Sequence, residues 1–153
     1  DNLSDWLKTV EKRLGDYAQR LAAAKAEARF QRNLAGERAG TKAKPEPDQE
    51  VSHTAWLQID NVWWEARGAS YALYHFMLAV RHDFRPVLED KNALPGLNRI
   101  IEELDYAQQA KYSPMVLNGD AFGLLANHSL ALSSYMARAS AGVIELRNLL
   151  QEG

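Results

Sequence analysis

Leu3, Leu7, Val10, Leu14, Tyr17, Leu21, Ala24 and Ala28 follow one another at alternating spacings of four and three. That heptad rhythm predicts a long first helix with one apolar seam. Asn2 or Ser4 can cap its start, and Asp5 sits favourably at the positive end of the helix dipole. The rhythm stops near Leu34. From about 34 to 50 the chain has no periodicity and carries Pro45 and Pro47 one residue apart, which reads as a flexible linker.

A second helix is expected from Asp48 or Ser52, with the seam Trp56, Ile59, Trp63, Ala66, Ser70, Leu73, Met77, Val80 and Phe84. A second stripe, Asp60, Trp64, Arg67, Tyr71, Tyr74, Leu78 and Arg81, runs beside it, and a third holds Asn61, Gly68, Ala72, His75, Ala79 and His82. A helix apolar on most sides is expected at the centre of the fold. Pro86 should kink or end it. Leu97, Ile100, Ile101, Leu104 and Ala107 predict a shorter third helix starting near Asn92 or Pro95. After a turn at Pro114 and Asn118-Gly119-Asp120, with Asp120 as N-cap, Leu125, His128, Leu132, Tyr135, Ala139, Gly142, Leu146 and Leu149 predict a fourth. No strand pattern competes. The expected fold is all-α, an up-and-down bundle of about four helices, three of them long, forming one domain over 1–153.

Length and composition narrow the chemistry. A chain of 153 residues can bury a core without staples. The absence of Cys excludes disulfides, thiolate nucleophiles and Cys-bound metals. A net charge of −2 gives no reason to expect nucleic acid. The basic run Arg20, Lys25, Arg29, Arg32, Arg38, Lys42 and Lys44 reads as a solvated helix end and linker. The apolar stretch from Tyr71 to Val80 is broken by His75 and is too short to span a membrane. Since the chain opens at Asp1 without Met, upstream sequence is expected, and any membrane contact is expected only through it.

The residues that could carry chemistry cluster in Asp60 to Tyr71. Asp60 and Arg67 share a face, with Trp64 between them, so Arg67 is expected to stack on Trp64 or Tyr71 and reach a carboxylate. This reads as an ion-pair network or, functionally, as an anion or polar-ligand site walled by Trp64 and Tyr71. Glu65 lies one turn from Asn61. Burial among Trp63 and Trp64 would raise its pKa, with Arg138 the expected partner. His128 falls on the inward seam of the last helix. The candidate ligand-binding set is therefore Asp60, Asn61, Trp64, Glu65, Arg67, Tyr71, His128 and Arg138. No catalytic residue, metal site or cofactor is expected. The single Glu-x-x-His, Glu50 to His53, lacks the second copy that a di-iron bundle needs, and no His-Glu-x-x-His, nucleophile elbow, phosphate loop or dinucleotide fingerprint occurs.

Three stretches carry a family look: Asp60-Asn61-x-Trp63-x-Glu65-Ala66-Arg67-Gly68, then Val87-Leu88-Glu89-Asp90-Lys91-Asn92-Ala93, then Val116-Leu117-Asn118-Gly119 with Ala126-Asn127-His128-Ser129-Leu130. Together they resemble the uncharacterised bacterial domain-of-unknown-function family twenty-three thirty-three, from about Trp56 onward. The resemblance implies an N-terminal membrane anchor upstream and a domain on the periplasmic side of the inner membrane of a Gram-negative envelope. It carries no activity. The expected function is non-enzymatic, by self-association or partner binding through the helix-one seam. The alternatives are a small-ligand or hydrolytic site at the Asp/Glu/Arg/His cluster, or a carrier with an aromatic-lined void under Trp63, Trp64 and Tyr74.

Overall fold

The computed structural model describes residues 2–36, 58–113, 115–117, 119 and 126–151, and within 24–36 the backbone only. Among the described residues five helices follow in order: α1 (Asn2–Gly36), α2 (Ile59–Asp83), α3 (Arg85–Asp90), α4 (Leu94–Tyr106) and α5 (His128–Gln151). α1 runs through Gly36 and so takes in residues 34–36 of the expected linker, whose remainder lies outside the described residues. The expected second-helix starts at Asp48 and Ser52 lie outside the described residues, as do Asp120 and the Glu50 to His53 pair.

Cross-helix contacts fix the topology. Ser133 Oγ donates to the Ala18 carbonyl, Ser140 Oγ to that of Glu11, and Gln151 Nε2 to Ser4 Oγ. As one number rises the other falls, so α1 and α5 are antiparallel. Tyr106 stacks on Tyr135, Arg138 pairs with Glu103, and Gly142 lies on Ile100, which sets α4 antiparallel to α5. Arg67 meets residues 107 to 109 and Arg81 meets Asn98, so α2 and α4 are antiparallel too. Trp6 against Phe76 and Arg20 against Glu65 close the ring between α1 and α2. The architecture is the expected up-and-down four-helix bundle, with α3 an added short helix in the α2–α4 connection.

The heptad seam of α1 faces inward. Leu7 and Leu21 are fully buried, and Val10, Leu14 and Ala18 nearly so. They pack chiefly against α5, where two serines bonded to the carbonyls of α1 mark a close approach of the backbones. The core continues through Trp63, Ala66 and Met77 of α2, Leu97, Ile100 and Leu104 of α4, and Leu132, Met136, Val143 and Leu146 of α5.

The position of α2 corrects the expectation of a central helix. One face is buried, at Ile59, Val62, Trp63, Ala66, Ser70 and Met77. The opposite face is open: Trp64, Tyr71 and Phe76 are 54%, 56% and 60% exposed. In a ring of four helices none is surrounded, so the third stripe, Asn61, Gly68, Ala72, His75, Ala79 and His82, is exposed throughout, while the second is covered in part, at Arg67, Tyr74 and Leu78.

Pro86 does end α2, but the chain re-enters helix at once, with the proline in the first turn of α3 where its missing N–H is harmless. A Schellman motif then closes α3. The Ala93 N–H donates to the Leu88 carbonyl at 2.8 Å and the Asn92 N–H to that of Glu89 at 3.1 Å. Asn92 takes a left-handed φ of 50°, and Leu88 and Ala93 are both fully buried. This accounts physically for the Val87-to-Ala93 stretch.

Candidate functional site

The other two sequence stretches meet at one end of the bundle. There the first half of α2, the C-terminal end of α4 and the start of α5 converge on the connection after α4. Arg67 is the hub. Its Nη1 donates to the carbonyls of Ala107 at 3.0 Å and Gln109 at 2.9 Å, and its Nη2 to that of Gln108 at 2.7 Å. These carbonyls lie at and just past the C-terminal end of α4, where the helix leaves acceptors unsatisfied and its dipole is negative. Gln108 answers from the other side: its Nε2 donates to Ser70 Oγ at 2.6 Å and to the Arg67 carbonyl at 3.3 Å. The guanidinium stacks on Trp63 with 5.3 Å to the ring centroid. Its partial burial lowers its pKa from the usual arginine range. The expected carboxylate partner is therefore replaced by three backbone carbonyls, and the expected stacking on Trp64 or Tyr71 by Trp63.

Asp60 and His128 hold the next part of the connection. Asp60 Oδ1 accepts the Val116 N–H at 3.0 Å. His128 Nδ1 accepts the Leu117 N–H at 2.9 Å, the His128 N–H donates to the Leu117 carbonyl, and Trp63 Nε1 donates to the His128 carbonyl. With Nδ1 an acceptor, the ring proton of neutral His128 belongs on Nε2. Burial, and then the Lys111 charge, hold its pKa below the ordinary histidine value. Asn127, not the expected Asp120, caps α5: its Oδ1 accepts the Leu130 N–H at 2.8 Å while its Nδ2 donates to the Gly119 carbonyl at 2.7 Å.

The remaining candidates point elsewhere. Glu65 is half-exposed and turns to α1, accepting from Arg20 Nη2 and from Tyr17 Oη, both at 3.1 Å. The bond from Arg20 lowers its pKa, the reverse of the raised value expected from burial. Arg138, the expected partner of Glu65, pairs instead with Glu103 at 2.8 Å and lies over Tyr135. Asn61 is exposed. Trp64 and Tyr71 face outward, with Tyr71 edge-on to His75 at 4.6 Å. Of the eight candidates, the structure brings together Asp60, Arg67 and His128, all three engaged with the backbone of the 107–117 segment.

One residue of the site carried no sequence signal. Lys111 Nζ sits 5.3 Å from the centroids of both Trp63 and Trp64, whose rings meet edge to face at 4.7 Å. It is shut off from water and has no hydrogen-bond partner among the described residues. Beside it lies a cavity of about 140 Å³ lined by Trp63, Arg67, Tyr106, Lys111, His128 and Tyr135, among others. Of the three residues expected over a void, Trp63 lines this cavity, which has a polar end. A roomier apolar groove of about 380 Å³ lies between α1 and α2, under Trp6, Tyr17 and Phe76. Among the described residues no three His, Asp or Glu side chains lie together as a metal site, and no helix is long and apolar enough to cross a membrane.

No curated protein and no solved structure matches the chain. A family model described as "Uncharacterized protein conserved in bacteria (DUF2333)" matches residues 1–153. The three motif stretches now have physical roles, as a helix-end clamp, a helix-stopping turn and a capped helix start, and the chain that carries them belongs to this uncharacterised bacterial family.

Proposed function

We propose that this is a non-enzymatic helical domain that acts by self-association across the outward face of α2. The observation that carries this is the exposure of Trp64, Tyr71 and Phe76, each more than half open to solvent on a helix whose other face is core. Gly68, Ala72, His75 and Ala79 lie among them and are also exposed. Between Trp64 and Ala79 the charged residues are Glu65 and Arg67, and both are engaged within the monomer. Such a strip repels no copy of itself and offers no charge to select another partner. An antiparallel pairing about residues 71 and 72 sets Trp64 over Ala79, Tyr71 over Ala72 and Phe76 beside Gly68, large side chains against small ones on both copies. The strip is about 22 Å long at 1.5 Å per residue. That is small for a permanent dimer, so association in the micromolar range is expected. The seam of α1 does not serve this role between Leu7 and Leu21, where it is core.

Sedimentation velocity over a concentration series tests the proposal. The parent chain should pair reversibly, and the double variant Tyr71→Ser, Phe76→Ser should stay monomeric with an unchanged helical spectrum. A parent that remains monomeric at hundreds of micromolar would end the self-association reading. The envelope setting implied by the family resemblance belongs to the same proposal, and fractionation of cells producing the natural protein tests it.

A second reading is favoured by the groove between α1 and α2, which is lined by Val10, Leu14, Leu73 and Phe76 with Arg13 at its margin. Its volume lies within the range of ligand pockets. An amphiphile with one anionic end fits it, the tail along the aliphatic wall and the head at Arg13. Titration with a fluorescent fatty acid checks this. Loss of binding in Leu73→Trp, which fills the groove, is the expected result.

A further inference from the structure

We propose that the cavity between α2, α4 and α5 binds a short-chain monocarboxylate, its carboxylate taken by Lys111 and the Nε2–H of His128 and its alkyl end lodged against Leu132 and the stacked tyrosines. The argument begins with Lys111. An ammonium is a triple donor, and burying it without an acceptor is costly even when aromatic rings flank it. Two indole faces recover part of that cost, and no hydrogen bond completes the balance among the described residues. The neighbouring charges of α2 at this end of the bundle have partners. Arg67 has three carbonyls and Asp60 has a backbone N–H.

The lining of the adjoining cavity is one-sided. Arg67, Lys111 and His128 contribute to it, and no Asp or Glu does among the described residues. His128 is bonded through Nδ1 to Leu117, which leaves Nε2–H as the ring's donor. Tyr106 and Tyr135 stack at 6.0 Å, and the hydroxyl of Tyr106 is donated to Glu102, so this side offers ring faces. Ala107, Ala110, Ala131 and Leu132 make the rest of the wall apolar. A site with cationic donors at one end and hydrocarbon at the other selects an anion with a short tail over an inorganic oxyanion, which would leave the apolar wall unmatched. At about 140 Å³, and roughly 30 Å³ per water in the liquid, the space takes a ligand of acetate to butyrate size. The flexible stem of Lys111 lets its ammonium swing from between the indoles to the incoming carboxylate.

Saturation-transfer NMR with propionate on the whole chain, with tryptophan fluorescence in parallel, tests the proposal. Trp63 and Trp64 flank the ammonium, so saturable binding should change their emission. Lys111→Met should weaken binding by about tenfold or more, while Lys111→Arg should retain it. Propionamide, of the same shape without charge, should not compete. Absence of saturation transfer from the parent chain at tens of millimolar propionate overturns the proposal without any variant. Equal binding by propionate and inorganic phosphate overturns the assigned ligand class. Undiminished binding by a folded Lys111→Met overturns the assigned residue.

Discussion

Gly142 of α5 and Gly15 of α1 have opposite tolerance for a methyl group. A Cβ on Gly142 would stand 2.8 Å from Cγ1 of Ile100, a fully packed neighbour, whereas one on Gly15 would meet only Ser140 Oγ at 4.0 Å. Gly142→Ala is therefore expected to destabilise the bundle by about 1–3 kcal/mol through overpacking. Gly15→Ala is expected to stabilise it by about 0.5–1 kcal/mol through helix propensity. Urea melts of the two variants should shift in opposite directions. His128 makes a second prediction at this scale. Its folded pKa is depressed below the ordinary 6.5, first by burial and then by Lys111. Its contribution to stability is thus complete above that ordinary value and is lost as pH falls through it toward the folded one. Stability should decline as pH falls below about 6.5, and His128→Phe should flatten that part of the profile. The decline should come with lower protection of the Leu117 amide relative to its intrinsic exchange rate, since a protonated ring removes its acceptor. None of this was legible in the chain. Sequence marks His128 as inward and Gly142 as small, but the neighbours that give them their roles come from other helices.

At the scale of elements, sequence periodicity is a good guide to faces and a poor one to partners. The seams of the α1, α4 and α5 segments are buried much as their spacing predicts. The error falls on α2, whose stripes look alike in sequence although the second is covered only in part, at Tyr74 and Leu78, and the third is open to solvent. Arg67 shows the same limit: a nearby carboxylate is the obvious partner for an arginine on paper, but backbone carbonyls do not appear in a sequence. The Arg67 clamp predicts that Arg67→Met leaves three acceptors at the end of α4 without a charged donor, at a cost of about 2–4 kcal/mol. Arg67→Lys should recover only part of this, because an ammonium cannot fork across three carbonyls. Thermal melts of the two variants against the parent measure both effects. The turn after α3 supplies a companion prediction. Since Asn92 adopts a positive φ, Asn92→Val should cost about 1–2 kcal/mol and Asn92→Gly should be neutral or better.

At the scale of the molecule, the bundle is closed by its first and last helices. The α1–α5 contact is the broad one, reinforced by the Glu11–Arg147 ion pair and three further side-chain bonds, whereas the α1–α2 seam contains the open groove. A chain lacking residues 2–36 is therefore expected to lose its fixed tertiary packing. Loss of near-ultraviolet circular dichroism with retention of helical signal would record this. The closure also has a bearing on synthesis. Helix α1 leaves the ribosome first, yet its buried stripe has no broad docking surface until α5, more than ninety residues later, has followed. Throughout that interval Leu7, Val10, Leu14 and Leu21 stand uncovered, which is the condition under which nascent chains attract chaperones or pair with one another. Completion of the fold must wait until α5 has been made, and truncation within α5 should harm yield far more than the few residues removed would suggest.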